Sequence, residues 1–172
     1  MQIPAEEAAR LLFESSNDLA ATTALLSNPN FSLSAMSLKG KTITHLLLGT
    51  ANVFTNRAKM QRIVSAIHIL CTHHADLDTP DNLGLTPLHW CVKTGNTAAA
   101  RHLIGYGTNI NATDKEGRTP LYLLSVDGSP VLEMGEVLLN AGGNLGGKKL
   151  PALSGRPKEA QRTVRGWVSR VP

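Results

Sequence analysis

The chain is short of charge, of aromatic rings and of cysteine, and each shortage narrows what it can be. Charged side chains make up 17% of the 172 residues and hydrophobic ones 42%, which favours a packed core over global disorder. Long apolar runs are missing. The longest candidate, Ile63 to Cys71, is interrupted by Ser65 and His68 and falls short of the ~20 residues that a membrane span needs. No basic region followed by an apolar stretch opens the chain, so nothing there reads as a secretory signal. The two cysteines, Cys71 and Cys91, sit inside apolar helical patterns and read as reduced core residues. These features together point to the cytoplasm or the nucleus.

The length suits one domain with a tail, and the net charge of +4 divides unevenly between them. Residues 1–147 carry ten Lys or Arg against twelve Asp or Glu, a net of −2. Residues 148–172 carry Lys148, Lys149, Arg156, Lys158, Arg162, Arg165 and Arg170 against Glu159 alone, a net of +6. The basic character therefore belongs to the last segment.

What is present in quantity is a repeat. Asp81, Gly84, Thr86, Pro87 and Leu88 recur 33 residues later as Asp114, Gly117, Thr119, Pro120 and Leu121. A fixed period of this size means stacked units, each contacting its neighbours. In the clearest unit, Asp81-Asn82-Leu83-Gly84 is turn chemistry: Asp and Asn bond their own backbone, and Gly supplies positive φ. Thr86-Pro87 opens a helix, with Leu88, Cys91 and Val92 as its buried stripe. Gly95-Asn96 ends it. A second helix follows with Ala99, Ala100, Leu103 and Ile104 inward, closed by Gly107.

The other units depart from this pattern in definable ways. The unit from Asp114 has Tyr122 where its predecessor has His89, and two extra residues around Ser129-Pro130, with Pro130 expected to start the second helix. Upstream, Gly40 to His45 matches Gly84 to His89 without the proline. The distance from Gly40 to Gly84 is 44, so eleven extra residues lie near 50–60. They form either a long second helix, capped by Asn56 and running from Arg57 to Cys71, or a protruding loop. Pro4, Glu6 and Glu7 begin a first, capping unit, in which Asp18 caps a helix carrying Leu19, Ala20, Leu25 and Leu26. After the glycines at 142–147, a last helix spans about 158–171, with Val164, Trp167, Val168 and Val171 on one stripe.

The runs Asp81 to His89 and Asp114 to Tyr122 resemble the ankyrin repeat closely, and the resemblance extends over about residues 4–145. It implies an all-α solenoid of about four helix-turn-helix units, near 4–36, 37–80, 81–113 and 114–147, with hairpin loops between them. The basic segment 148–172 follows as a capping helix or tail. The resemblance also implies that Thr42/His45 and Thr86/His89 form structural hydrogen-bond networks rather than catalytic pairs. No nucleophile or acid stands near them at the spacing of a triad.

Two further motifs tempt a chemical reading. His68, Cys71, His73 and His74 include good zinc ligands. Cys71 holds an inward apolar position, however, and His74 holds the helix-capping glycine position, so no metal is expected. Gly142 to Lys149 has the composition of a phosphate loop without its order or its preceding strand, so no nucleotide or cofactor is expected. No enzyme reading finds support.

The expected function is a monomeric, non-catalytic protein-interaction module. The resemblance implies a concave groove made by hairpin tips and first helices. Its candidate contact residues are Leu38, Lys39 and Lys41, then Asn82, Leu83, Leu85, Lys93 and Thr94, then Lys115, Glu116, Arg118, Val126 and Asp127. Leu83 and Leu85 are read as exposed anchors at one tip. The alternative is an adaptor whose basic segment 148–172 meets an anionic target, nucleic acid or a membrane surface.

Overall fold

The computed structural model describes residues 2–49, 57–127, 132–148 and 158–170. Its helices are α1 (Ala5–Ser15), α2 (Leu19–Leu26), α3 (Ile43–Gly49), α4 (Arg57–Thr72), α5 (Pro87–Thr94), α6 (Thr97–Gly105), α7 (Pro120–Asp127), α8 (Leu132–Asn140) and α9 (Lys158–Val168). Successive helices pair into units, and the units stack in two rows. Helices α1, α3, α5 and α7 pack in one row; α4, α6, α8 and α9 pack in the other. Among the described residues no helix is long and apolar enough to cross a membrane.

Local chemistry sets each boundary. Asp18 caps α2 by accepting from the Ala20 and Ala21 amides at 2.9 and 3.1 Å. Asn96 caps α6 by accepting from the Ala99 amide at 3.0 Å. His74 ends α4's unit at φ 56, the left-handed position held by glycine in the later units. The second helix of this unit, α4, runs from Arg57 to Thr72, and the preceding residues 50–56, with Asn56, lie outside the described residues. Pro130 also lies outside them.

Buried residues follow the expected stripes. Leu88, Cys91 and Val92 of α5 and Ala99, Ala100 and Leu103 of α6 are buried in one cluster that continues into Leu121, Leu124, Met134 and Leu138. A second cluster, with Ala8, Leu12, Ile43, Leu47 and Leu70, joins α1 to the next unit. Helix α2 fits less well. It buries only Thr22, and Leu19 is 84% exposed.

The basic terminal segment contributes a docked helix. Val164 and Trp167 of α9 are buried against α8, and a methyl group placed on Gly135 would overlap the Trp167 ring. Arg170 clamps the pair by donating to both Glu136 oxygens at 2.8 Å. Val168's side chain and Val171 lie outside the described residues.

Hairpins connect the units. Asp81 Oδ1 accepts from the Leu83 and Leu85 amides, and Asp114 Oδ1 from the Glu116 and Arg118 amides. Ser37 does this work in the earlier hairpin, its hydroxyl accepting from the Lys41 amide at 3.1 Å. Gly84 sits at φ 81, and a Cβ there would stand 2.6 Å from the Lys115 amide nitrogen. That is backbone, which cannot move aside, so the hairpins stack closely because this position has no side chain.

Histidine ties each first-row helix to the hairpin beyond it. The Thr42 amide and hydroxyl both donate to His45 Nδ1, at 3.2 and 2.8 Å. Two donors at Nδ1 fix the tautomer, so Nε2 carries the proton and donates to the Leu85 carbonyl at 2.8 Å. Thr86 and His89 repeat the arrangement, with Nε2 reaching the Arg118 carbonyl at 2.9 Å. With Tyr122 in the third place, Thr119 itself donates to the Asn144 carbonyl at 2.6 Å.

The structure corrects the reading of Leu85. It is 2% exposed and belongs to the core cluster with Leu88 and Leu121, whereas Leu83 is 62% exposed. Residues i and i+2 share a face only while the backbone stays extended. Gly84, left-handed between them, turns the chain and sends Leu85 inward. Leu85→Ala is therefore expected to lower stability by about 2–3 kcal/mol, as a buried leucine truncation does. Leu83→Ala should change it by less than ~0.5 kcal/mol. Urea melts of the two variants check this; equal midpoints would mean that Leu85 is not a core residue.

Burial is the main cause holding the His45 and His89 imidazoles below the ordinary value of 6.5. A proton on Nδ1 would also face two donors. The unfolded chain thus binds protons that the folded chain refuses, and stability rises with pH across that window. It is fully present above ~6.5 and falls as pH drops from there toward the depressed folded values. Between pH 7.5 and 5.5 the wild type should lose about 1–2 kcal/mol. His45→Gln with His89→Gln should flatten that loss, whatever it costs at pH 7.5. Parallel pH profiles of unfolding would show that these imidazoles titrate normally.

Candidate interaction face

The hairpin tips and the first-row helices share one edge of the stack. Tip-to-tip hydrogen bonds hold it: the Asn82 amide donates to the Lys39 carbonyl at 3.2 Å, and the Lys115 amide to the Leu83 carbonyl at 3.4 Å. The Asn82 side chain adds a bond to the Leu38 carbonyl at 3.4 Å. Leu38 and Leu83 consequently stand exposed on tips whose backbones are already fixed.

The other candidate residues sort by exposure and partner. Lys39, Asn82, Lys93, Lys115 and Glu116 are exposed; Lys41, Thr94, Arg118 and Val126 are half-buried. Thr94 Oγ1 donates back to the Trp90 carbonyl at 2.8 Å, which turns its hydroxyl toward its own helix. Arg118 is held at 2.7 Å by Asp114 and at 3.0 Å by Glu116. Asp127's side chain lies outside the described residues.

In the basic segment, Lys148 is half-buried with its ammonium 5.7 Å from the Tyr122 ring centroid. Arg162 and Arg165 are exposed on α9, and Arg170 is engaged with Glu136. Lys149, Arg156 and the side chain of Lys158 lie outside the described residues.

Trp90 and Met36 belong to this edge and were not picked out from the sequence. Trp90 follows His89 and falls off the buried stripe of α5, and the lysine at i+3, Lys93, was the available hint. Its indole N–H donates to Asp81 Oδ2 at 3.0 Å. Two ammonium groups share its ring: Lys41 Nζ at 4.0 Å from the centroid and Lys93 Nζ at 5.4 Å. Met36, 52% exposed, pairs across the second hairpin with Thr42.

The charges on this edge are unequal in freedom. Burial would raise the Asp114 carboxyl, but the Arg118 amide and guanidinium and the Glu116 amide outweigh it and hold it below the ordinary carboxylate range. Asp114 is thus held ionised, both Asp81 and Asp114 are enclosed, and Glu116 faces Arg118. Among the described residues, Lys39, Lys41, Lys93, Lys115 and Lys148 have no carboxylate within 4.0 Å. The edge is positive although the body's formal charge is −2.

A family model described as ankyrin repeats, in three copies, matches residues 6–114 and 57–148. Over 54 residues, 31% of the chain, the sequence is 41% identical to protein phosphatase 1 regulatory subunit 27 of Mus musculus, covering 35% of that protein. Over 65 residues, 38% of the chain, it is 37% identical to Inversin of Danio rerio, covering 6% of it. Over 92 residues, 54% of the chain, it is 27% identical to palmitoyltransferase AKR1 of Saccharomyces cerevisiae, covering 11% of it. The chain spans about a third of the phosphatase subunit and a smaller share of the other two. With two stacked rows of helices, hairpins tied by Thr–His pairs, and a repeat model matched from residue 6 to residue 148, the chain belongs to the ankyrin-repeat family.

Proposed function

We propose that the chain is a non-catalytic module that binds a partner protein through the edge formed by hairpin tips and first-row helices. The supporting observation is the pairing of exposed apolar side chains with an ordered backbone. Leu38 and Leu83 stand in solvent on tips joined by amide-to-carbonyl bonds. A surface ordered before binding loses little conformational entropy when a partner docks, so its apolar contacts count almost in full. Ankyrin repeats mediate protein–protein interaction as a rule, and similarity to a regulatory subunit of protein phosphatase 1 fits a binding role rather than a catalytic one.

The contact set in this reading is Leu38, Lys39, Lys41, Asn82, Leu83, Lys93, Lys115 and Arg118, joined by Met36 and Trp90. Leu85 drops out because it is buried, and Thr94 because its hydroxyl is turned to its own helix. Residues 1–147 act as the recognition body. Residues 148–172 act mainly as its cap, since α9 buries Val164 and Trp167 and commits Arg170 to Glu136. The module works as a monomer in the cytoplasm or nucleus.

The test takes a partner recovered by affinity capture and identified by mass spectrometry, then measures its binding to variants of the full chain. Leu38→Ala with Leu83→Ala should weaken binding by ~1.4 kcal/mol or more, about tenfold, with the unfolding midpoint unchanged. Arg162→Glu with Arg165→Glu should mainly reduce the salt dependence. Silent leucines together with lost binding in the arginine pair would instead make the protein a charge-led adaptor working through its basic segment.

A further inference from the structure

The five unpaired lysines are spaced along the stack, and their order carries information about the occupant. Lys39 and Lys41 belong to the second unit's hairpin, Lys93 to α5 in the third unit, and Lys115 to the hairpin of the fourth. Lys148 lies across the fourth hairpin, where its Cε stands 3.3 Å from the place a Gly117 Cβ would take. Lys115 lies across the third hairpin in the same way, over Gly84. Each step along the stack thus brings at least one ammonium to the edge. Helices packed side by side repeat every ~8–10 Å, and a peptide in polyproline-II form rises about 3.1 Å per residue and returns every third side chain to the same face. One step of the stack corresponds to roughly three residues of such a chain.

We infer that this edge receives an acidic segment of a partner protein in polyproline-II-like extended form, with carboxylates at about every third residue on one face and an apolar residue against Leu38 or Leu83. The inference rests on the interaction reading above and specifies its partner. Lys41 and Lys93 both approach the Trp90 ring and neither has a carboxylate within 4.0 Å, so a partner's carboxylate meets uncompensated ammonium groups there. Polynucleotide fits less well. Lys41 already lies over the Trp90 ring, so a base would have to displace it to stack there, and Glu116 would oppose a phosphate backbone. An acidic peptide can bring its apolar residue to the leucines and place its charges to avoid Glu116.

Fluorescence anisotropy with the full-length chain tests this. The probe is a labelled peptide of about twelve residues carrying Glu at every third position and one Leu, matched to four steps of the stack. The controls are its Gln-for-Glu isostere, single-stranded oligothymidylate, and phosphatidylserine vesicles. The acidic peptide should bind at least tenfold tighter than the isostere at physiological ionic strength. Lys41→Gln with Lys93→Gln and Lys115→Gln should lower that affinity at least tenfold, with circular dichroism unchanged. Equal affinity for peptide and isostere would overturn the inference. So would tighter, lysine-dependent binding of the oligonucleotide or the vesicles. A partner that is lost with Leu38→Ala and Leu83→Ala but indifferent to the three lysine substitutions would sink the acidic inference and leave the interaction module standing. A partner indifferent to both sets would sink both.

Discussion

Stacking in this protein depends on one recurring hydrogen bond, from a buried imidazole Nε2 to a carbonyl of the next hairpin. His45 reaches Leu85 and His89 reaches Arg118, each across about one unit of the stack. A helix pair of this size buries too little apolar surface to be stable alone, so each unit needs its neighbours. The apolar clusters supply the attraction, but they do not by themselves set where one hairpin sits relative to the next. The imidazole does, because its Nδ1 is pinned by the threonine just before its own helix and its Nε2 meets a carbonyl of the next hairpin. Thr119 shows that the requirement is for the bond rather than for histidine. With Tyr122 in the imidazole's place, the threonine hydroxyl turns outward and bonds Asn144 directly.

Those constraints explain which features could be read from the sequence. Anything fixed by backbone geometry was legible. Gly84 and Gly117 at the turns, Asp18 at a helix start and His74 at a left-handed helix end each answer a local requirement that a residue type announces. Ser37 shows how that signal weakens. It performs in the second hairpin what Asp81 and Asp114 perform later, yet a serine is too common to mark a turn. The helix stripes were legible because their period is fixed, as for Leu88, Cys91 and Val92.

Features set by the surroundings were not legible. Leu85 reads as a tip residue by position, and only the turn at Gly84 decides that it points inward while Leu83 points out. Trp90 depends on Lys41, which lies 49 positions earlier in the chain and one unit away in space. Helix α2 has the composition of a buried helix, but among the described residues it packs mainly on α1, and Leu19 is left in solvent. Local rules predict elements; they do not say which neighbours an element will meet.

The charge of the face is the sharpest case of this difference. Counted along the chain, the body is slightly acidic, which argues against an acidic partner. Counted by availability, it is basic. Asp18 caps a helix, Asp76 closes a turn, and Asp78 accepts from Thr108 and the Asn109 amide. Asp81 and Asp114 organise hairpins. Glu7 and Glu14 hold Arg10, Glu133 holds Arg101, Glu136 holds Arg170, and Glu116 holds Arg118. Among the described residues nearly every carboxylate is committed to the architecture, and the charged partners are arginines, whose forked donors suit fixed pairing. The lysines at 39, 41, 93, 115 and 148 are left over, and they collect along one edge. An incoming ligand meets the field of the exposed, uncompensated charges, while paired and enclosed ones largely cancel before they reach solvent. Net charge therefore misleads in a fold whose acids build its turns, and the lysines along the hairpin edge set the sign that a partner encounters.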